Sequence, residues 1–368
     1  MKMQRCYFLL VLGLICASAS NVDAGKRGKK NKANWPSFRG AHAQGVADGF
    51  ALPVSWDVPA SEGVRWKTSV PGLSHSSPVI WGDHLFVTTV TSDQPDPLLK
   101  VGLYGASPDH PESFEHRYEL YCLDKNTGDV KWSRVALSAV PKVKRHIKAT
   151  HANCTPSTDG QFVVAFFGSQ GLFCFDMSGD LIWKQDFGML DAGPPGHDDL
   201  QWGFASSPVI YDDHVYVQCD ARNNAFVAAL RLSDGEEVWR TARVEEGTWS
   251  TPTIYSARKH GQVIVNGYKH IGGYDLKTGE ELWKLSGGGD IPVPTPVVAN
   301  KLIYITNAHG AMAPIYAIRV NAKGDLTTTE LVEQSPYMAW KIDKGGAYMQ
   351  SPLVYKKLLY NCRDNGVL

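Results

Sequence analysis

The residues of this chain best suited to chemistry recur at two fixed points of a repeated sequence unit. One group stands just ahead of the repeats and comprises His75, Asn153, Phe204, Trp249 and Tyr348. A second group follows the second apolar run of several repeats and comprises Asp220, Arg222, Asn266, His270, Asn307, His309 and Arg363. Hydrogen-bonding and aromatic side chains in one concave mouth would suit a small polar ligand or a peptide segment. The alternative is that they only satisfy loop backbone and solvent.

Metal and nucleophile chemistry find less support in the sequence. His197, Asp198 and Asp199 are adjacent in a Pro/Gly-rich loop, and adjacent side chains without a second cluster rarely close a metal site. His146 and His151, in a basic loop, are interpreted in the same way, as solvated residues. No G-x-S-x-G elbow occurs, and no phosphate-cradling Gly loop stands between a strand and a helix. The sequence therefore predicts no catalytic residue and no metal site.

The unit that positions these residues is a run of four short strands. Each unit begins with Ser or Thr before Pro, because Pro is tolerated at the first residue of a strand. Four units end in a turn glycine followed four residues later by tryptophan: Gly128 and Trp132, Gly179 and Trp183, Gly235 and Trp239, and Gly279 and Trp283. The spacing puts each Trp on one fixed face of its strand, as a residue that packs between neighbouring sheets requires.

Four antiparallel strands in about forty residues form the blade of a β-propeller. The sequence predicts an all-β chain with five complete blades and a partial sixth. An orphan strand from Val64 to Val70 resembles a fourth strand, so we expect a parent of seven or eight blades whose closing strands lie beyond Leu368. In the fifth repeat Gly324 keeps the turn, but Thr328 stands where Trp is expected, which predicts looser packing at that boundary.

The N-terminal region predicts export. Residues 1–24 have the basic start, short apolar run and small residues of a signal peptide with cleavage after Ala24, and residues 25–63 read as a basic linker and irregular segment ahead of a propeller over 64–368. We expect the segment from Asn34 to Asp57 to cross the outside of the fold.

With 37 basic and 37 acidic residues the chain has no global basic field, so no nucleic-acid partner is expected. We also expect no transmembrane segment after signal cleavage.

Five cysteines follow the predicted cleavage site. Their odd number and wide spacing do not indicate a disulfide framework. Cys122 and Cys174 occupy equivalent places in consecutive repeats, which favours buried strand thiols, although a bridge between some pair stays open.

The strings CLDKNTGDVKW from Cys122 and GYDLKTGEELW from Gly273 resemble the tryptophan-docking repeats of the pyrroloquinoline-quinone (PQQ) propeller superfamily. The strings WPSFRG from Trp35 and LPVSW from Leu52 resemble exported PQQ-like repeat proteins of planctomycete-type bacteria. The superfamily implies two functions. Some members are quinoprotein dehydrogenases that hold PQQ and Ca²⁺ in the central funnel, and others are cofactor-free scaffolds, such as the propeller lipoprotein of outer-membrane assembly.

The dehydrogenases of that superfamily commonly place two adjacent cysteines over the quinone, and this chain has no adjacent cysteines. It also has no Ca²⁺-ligand set that can be assigned residue by residue, so the dehydrogenase pattern is poorly matched. We therefore expect a periplasmic or extracellular binding or scaffolding module with a protein or peptide partner in the cell envelope and no cofactor. The alternative is a PQQ-dependent alcohol or sugar dehydrogenase. Short turns emerge on one face of the propeller, and long connections emerge on the other, which we call the loop face. We place any binding site on the loop face.

Overall fold

The computed structural model describes residues 34–50, 52–94, 99–100, 109–110, 112–257, 260–328 and 334–368. The predicted signal peptide and residues 25–33 of the basic linker lie outside the described residues. The described chain forms five successive four-stranded antiparallel blades and a two-stranded sixth sheet, which confirms the predicted all-β propeller architecture with a partial sixth blade. Among the described residues, no helix is long and apolar enough to span a membrane.

Each blade runs outward from its first strand. Blade 1 has β1 (Val79–Trp81), β2 (His84–Ser92), β4 (His116–Asp124) and β5 (Val130–Ala139). Blade 2 has β7 (Ser157–Thr158), β8 (Phe162–Phe166), β9 (Leu172–Asp176) and β10 (Leu181–Gln185). Blade 3 has β11 (Val209–Tyr211), β12 (His214–Cys219), β13 (Phe226–Arg231) and β14 (Glu237–Ala242).

Blade 4 has β15 (Thr253–Ala257), β16 (His260–Val265), β17 (Ile271–Asp275) and β18 (Glu281–Leu285). Blade 5 has β19 (Val297–Ala299), β20 (Leu302–Thr306), β21 (Ile315–Arg319) and β23 (Met338–Ile342). The sixth sheet pairs β24 (Leu353–Tyr355) with β25 (Leu358–Tyr360). Outside the blades, β3 (Asp109–His110) pairs with β6 (Arg145–His146). The remaining elements are β22 (Gly324–Asp325) and the short 3-10 helices η1 (Ala41–Ala43) and η2 (Gly168–Gln170).

The Ser/Thr-Pro motifs link neighbouring blades along the inner wall. The first strands β1, β7, β11, β15, β19 and β24 contact one another in sequence order. At four steps of this wall a backbone N–H of one motif donates to the hydroxyl of the next: Ser77 to Thr155 (3.0 Å), Thr155 to Ser207 (3.0 Å), Ser207 to Thr251 (3.1 Å) and Thr295 to Ser351 (2.9 Å). At Thr155, Ser207, Thr251 and Ser351 the hydroxyl before the Pro therefore satisfies a backbone donor of the neighbouring motif.

Thr155→Val tests this inner ring of hydrogen bonds. Valine keeps the shape and branching of threonine but cannot accept from the Ser77 N–H, and Thr155 is 1% exposed. We expect the free energy of unfolding to fall by about 1 kcal/mol, the usual contribution of one such bond. Denaturant titration followed by tryptophan fluorescence measures it, with the same substitution at the exposed Thr328 as control. Equal, negligible changes in both variants would show that the inner bonds do not contribute.

Tryptophans at the outer strands dock each blade on the next. The indole N–H groups of Trp132, Trp183 and Trp239 donate to the carbonyls of Met177, Leu232 and Leu276 at 3.1, 2.7 and 3.0 Å. Their rings lie against the turn glycines of the following blade, where a Cβ would come within 3.0 Å of the indole: Gly179 (3.0 Å), Gly235 (2.6 Å) and Gly279 (2.4 Å). The recurring Gly and Trp of the repeat therefore act as the two halves of one contact between blades.

Trp283 makes the same connection through a relay. Its indole N–H donates to the Gln262 side-chain oxygen at 2.7 Å, and the Gln262 amide donates to the Val320 carbonyl of blade 5 at 2.7 Å. Val320 follows β21 as Leu276 follows β17, so the acceptor is the equivalent carbonyl.

The prediction of a strand from Val64 to Val70 is wrong, but Trp66 in this segment docks on a turn glycine as the blade tryptophans do. Residues 64–70 form no regular strand. Even so, the Trp66 indole donates to the Lys125 carbonyl at 2.9 Å, and a Cβ on Gly128 would lie 2.5 Å from the ring. Gly128 of blade 1 therefore receives Trp66 from the preceding segment, while Trp132 of the same blade docks on blade 2.

The fifth blade corrects a second expectation. Gly324–Asp325 does not turn into the fourth strand of blade 5 but pairs in parallel with β18 of blade 4. The fourth strand is β23, which begins at Met338 and therefore lies beyond Thr328, where the sequence pattern placed it. Trp340 faces Ala317 in its register as Trp283 faces Gly273, so Trp340, and not Thr328, occupies the docking position of this blade.

The segment after Asn34 lies against the inner strands and not across the outside as expected. Trp35 pairs with Ile80 of β1 through two 2.8 Å backbone hydrogen bonds, and the Thr158 N–H of β7 donates to the Pro36 carbonyl at 2.8 Å. The 3-10 helix η1 contacts β15 and β19, and the Arg39 guanidinium donates to the Pro352 carbonyl at 2.7 Å. Because these contacts lie beside the short turns, the segment covers that end of the space between the inner strands.

All five cysteines after residue 24 are described, and none of them forms a disulfide. Cys122, Cys154, Cys174 and Cys219 are buried, as the strand-thiol interpretation predicts, and Cys362 is exposed. Burial raises the pKa of the Cys122 thiol to about 12, so it is protonated and unreactive at neutral pH.

Candidate functional site

The loop face is where the inner strands begin, and several of the predicted site residues are accessible there. His75, His309 and Arg363 are exposed, and Asn153, Trp249 and Tyr348 are half-buried. Hydrogen bonds between neighbouring blades brace this mouth: His75 N–H to the Ala152 carbonyl at 3.0 Å and Trp249 N–H to the Pro292 carbonyl at 3.0 Å. The mouth is therefore a set of accessible side chains on a backbone that is fixed from blade to blade.

One accessible aromatic pair consists of Trp249 and Trp202. Their ring centroids lie 5.8 Å apart, and the Trp249 indole donates to the Gly203 carbonyl at 2.8 Å. The indole nitrogen of Trp202 is buried and has no hydrogen-bond partner among the described residues. Trp202 was not predicted from the sequence, because it lies within a long loop and outside the repeat pattern.

A second aromatic pair joins two predicted residues. The rings of His309 and Tyr348 are stacked with centroids 5.0 Å apart. The His309 Nδ1 lies 2.7 Å from an Asp290 carboxylate oxygen, which fixes the imidazole over the tyrosine. Residues that are far apart in sequence thus form a compact polar and aromatic surface patch.

Asp220 belongs to a buried charge network and is not available at the mouth. Its carboxylate accepts from the Arg243 guanidinium at 2.7 Å and from the Thr248 hydroxyl at 3.0 Å, and both charged side chains are 0% exposed. Arg243 also pairs with Glu245 at 3.1 Å and donates to the Tyr274 hydroxyl at 2.6 Å. Because Thr248 precedes Trp249, this network positions one of the accessible aromatics.

His270 and Glu245 complete the network. The Glu245 carboxylate accepts three backbone N–H groups, from Tyr268 (3.1 Å), Lys269 (2.9 Å) and His270 (2.8 Å). Burial raises the pKa of Glu245 to about 7, with Asp220 adding to the effect and Arg243 opposing it. The His270 imidazole lies 3.2 Å from Glu281, and burial and Arg243 lower its pKa. His270 therefore holds the loop between β16 and β17 and presents little surface.

Four further predicted residues also support the loops from inside. Asn266 and Asn307 pair through reciprocal 2.8 Å amide bonds and are 0% exposed. Arg222, 9% exposed, donates to the carbonyls of Leu200 (2.9 Å) and His197 (2.8 Å) and so anchors the Pro/Gly loop. Phe204, 6% exposed, packs on Phe166 at 4.9 Å between centroids. Asn266, Asn307 and Arg222 were predicted to face a ligand because they are polar, but they form hydrogen bonds within the protein.

The basic loop is not a set of solvated residues, and this corrects the interpretation of His146 and His151. The Arg145 side chain is 1% exposed and pairs with Glu112 at 2.9 Å. The His151 imidazole lies 2.7 Å from Glu112, and His146 packs edge-on against Trp202 at 5.2 Å. Burial would raise the pKa of Glu112, but hydrogen bonds from His116, His151 and Arg145 hold it well below its usual range.

Comparison with known proteins agrees with the fold. No curated protein matches the chain. Among solved structures, the chain is similar to BamB from Moraxella catarrhalis, with 17% sequence identity over 83% of this chain and 75% of that chain and a TM-score of 0.52. It is also similar to quinohemoprotein alcohol dehydrogenase from Comamonas testosteroni, with 9% identity over 87% of this chain and 68% of that chain and a TM-score of 0.49.

The sequence profile of the family described as outer membrane protein assembly factor BamB matches residues 41–185 and 116–363. These two matches together cover all five complete blades and the sixth sheet. The chain therefore belongs to the family of the outer membrane protein assembly factor BamB, and its PQQ-like repeats build the blades of the propeller.

Proposed function

We propose that this protein is an exported scaffold of the cell envelope that binds a segment of a protein partner at the loop-face mouth. Trp249 and Tyr348 are the principal contacts. The observation that carries the proposal is the placement of two accessible aromatic pairs, Trp202 with Trp249 and His309 with Tyr348, on this face. The N-terminal segment covers the opposite, short-turn end.

The chemistry of the pairs suits a peptide more than a charged small molecule. Tryptophan and tyrosine provide large, rigid contact areas and a polar edge, and they are enriched among residues that dominate protein interfaces. The surrounding polar groups Asp290 and His309 would serve hydrogen bonds to peptide amides. Family membership supports the same class of function, since the family is named for an assembly factor.

Site-specific photo-crosslinking of the full-length protein in its own envelope tests the face. A crosslinker at position 348 is expected to capture a defined protein partner, and one at the exposed Asp234, in a short turn, is expected not to. Trp249→Ala and Tyr348→Ala should each weaken binding of the captured partner by about 2 kcal/mol, the range of interface hot spots. Substitution of the exposed Trp56 by Ala is the matched control.

Circular dichroism of each variant shows whether the propeller is intact. If the position-234 crosslinker captured the same partner as strongly, or if both alanine variants bound normally, the loop-face proposal would be wrong.

The dehydrogenase alternative has less support from the donor set. Ca²⁺ takes six to eight oxygen ligands. The side-chain oxygens of Asn266 and Asn307 each accept from the amide N–H of the other residue, and the Asp220 carboxylate accepts from Arg243 and Thr248. These residues do not fit a PQQ and Ca²⁺ site. Dye-linked oxidation of alcohols or sugars by the full-length protein with added PQQ and Ca²⁺ would decide for the dehydrogenase.

A further inference from the structure

Three side chains with metal-ligand chemistry converge at the loop-face end of blade 1. His116 is the first residue of β4, Glu112 lies four residues before it, and His151 lies between β6 and β7. One ligand atom from each lies within 4.8 Å of the other two. Their side chains are 3%, 6% and 9% exposed, so the group is built into the fold and is not a surface coincidence.

One ring nitrogen of His116 is held by a backbone carbonyl, and the other faces Glu112. Its Nδ1 lies 2.9 Å from the Phe114 carbonyl, which can only accept, so Nδ1 carries the proton. The other ring nitrogen, Nε2, then faces a Glu112 carboxylate oxygen at 3.4 Å. A carbonyl bond to the far nitrogen is also the usual way in which a metal-binding imidazole is oriented.

Two neighbours complete the site. The Arg145 guanidinium donates to Glu112 Oε1 at 2.9 Å and to Oε2 at 3.2 Å, and Oε2 also lies 2.7 Å from His151 Nε2. The Tyr118 hydroxyl is buried and has no hydrogen-bond partner among the described residues, and its ring lies 6.5 Å from His116 and 6.4 Å from His151 between centroids. A buried hydroxyl without a partner beside the cluster suggests a bound species that the protein atoms do not supply.

We propose that Glu112, His116 and His151 bind one divalent cation of the zinc type through two imidazole nitrogens and one carboxylate oxygen. The 3.4 Å separation of His116 Nε2 and Glu112 Oε2 is close to the roughly 3.3 Å between ligands at 2.0–2.1 Å from a tetrahedral zinc, and His151 Nε2, now 2.7 Å from the same oxygen, would move away from it by about 0.6 Å on binding. All three side chains line a cavity of about 360 Å³, and a tetrahedral zinc held by them would take one further ligand. The positive charge of Arg145 opposes the cation, so binding is weaker than at closed structural zinc sites.

The test uses the full-length protein, stripped with a chelator and titrated with Co²⁺ and then Zn²⁺. We expect one equivalent of Co²⁺ with the visible absorption of a tetrahedral site, displaced by Zn²⁺. His116→Gln and His151→Gln should each weaken binding at least tenfold, and His214→Gln, on β12 of blade 3, should leave it unchanged.

Absence of stoichiometric metal from the folded protein would overturn the proposal. Binding that survives both histidine substitutions would overturn it too. If these variants fail to fold, zinc-edge absorption spectroscopy of the unmodified protein decides, because two imidazole ligands are required.

Discussion

Arg243→Met is expected to lose about 4 kcal/mol of stability, more than any other substitution in the loop-face network. Removing one partner of a buried ion pair typically costs about 3–5 kcal/mol, because the remaining charge stays buried without compensation. In this network two carboxylates, Asp220 and Glu245, both 0% exposed, would lose their shared cation at once. Chemical denaturation monitored by far-UV circular dichroism measures the loss.

The sign of a second substitution makes this prediction specific. In the unmodified protein Asp220→Asn should be destabilising by about 3 kcal/mol, since it takes a charge from the buried Arg243. In the Arg243→Met background the same change should be neutral or stabilising, because it then removes an unpaired buried carboxylate. Coupling of this kind is what a double-mutant cycle measures.

An exposed ion pair provides the control. Arg231 contacts Asp234 and Glu236 at 2.7 Å, but all three side chains are at least 44% exposed. Arg231→Met should therefore change stability by less than about 1 kcal/mol. If Arg231→Met and Arg243→Met had similar effects, or if Asp220→Asn were equally harmful in both backgrounds, the network would not stabilise the fold as argued.

The blade pattern could be predicted from sequence because its signals are local. A Pro at the strand start, a glycine in the turn and a Trp four residues later are each fixed by backbone geometry within one blade. Blade 5 shows the limit of this reasoning. Gly324 carries the turn signal, yet the chain pairs there with β18 of blade 4, and the fourth strand returns at Trp340. A spacing rule does not detect such an insertion, since the pairing with β18 is a tertiary contact.

The candidate site could be predicted only in part for a related reason. Sequence position gives the face of the propeller, but exposure depends on which polar partners meet there. Trp249 and Tyr348 remain accessible. Asp220 is buried in an ion pair with Arg243, and Asn266 and Asn307 are buried in hydrogen bonds to each other. The cluster of Glu112, His116 and His151 joins residues up to 39 positions apart with no motif spacing, so only the fold brings them together.

Gly279→Ala is expected to lose about 3 kcal/mol, because Gly279 meets two requirements at once. Its φ of +73° is one that an L side chain adopts at a cost of about 1 kcal/mol or more. A Cβ there would also lie 2.4 Å from the Trp239 ring, and forcing extra atoms into a packed contact costs about 1–3 kcal/mol. The midpoint of denaturant unfolding, at constant m-value, reports the loss.

Gly324 separates the two requirements, because its φ of +72° is almost the same but nothing lies within 4 Å of a Cβ there. Gly324→Ala should therefore lose only the backbone component, about 1 kcal/mol. Trp239→Ala removes the ring from the docking space but leaves the Thr241 hydroxyl 2.9 Å from an added Cβ, so the cost of Gly279→Ala in that background should fall toward that of Gly324→Ala. If Gly279→Ala cost the same with and without the Trp239 ring, backbone conformation alone would explain the turn glycine. The Gly-Trp spacing would then mark the shape of a hairpin and not the contact that joins one blade to the next.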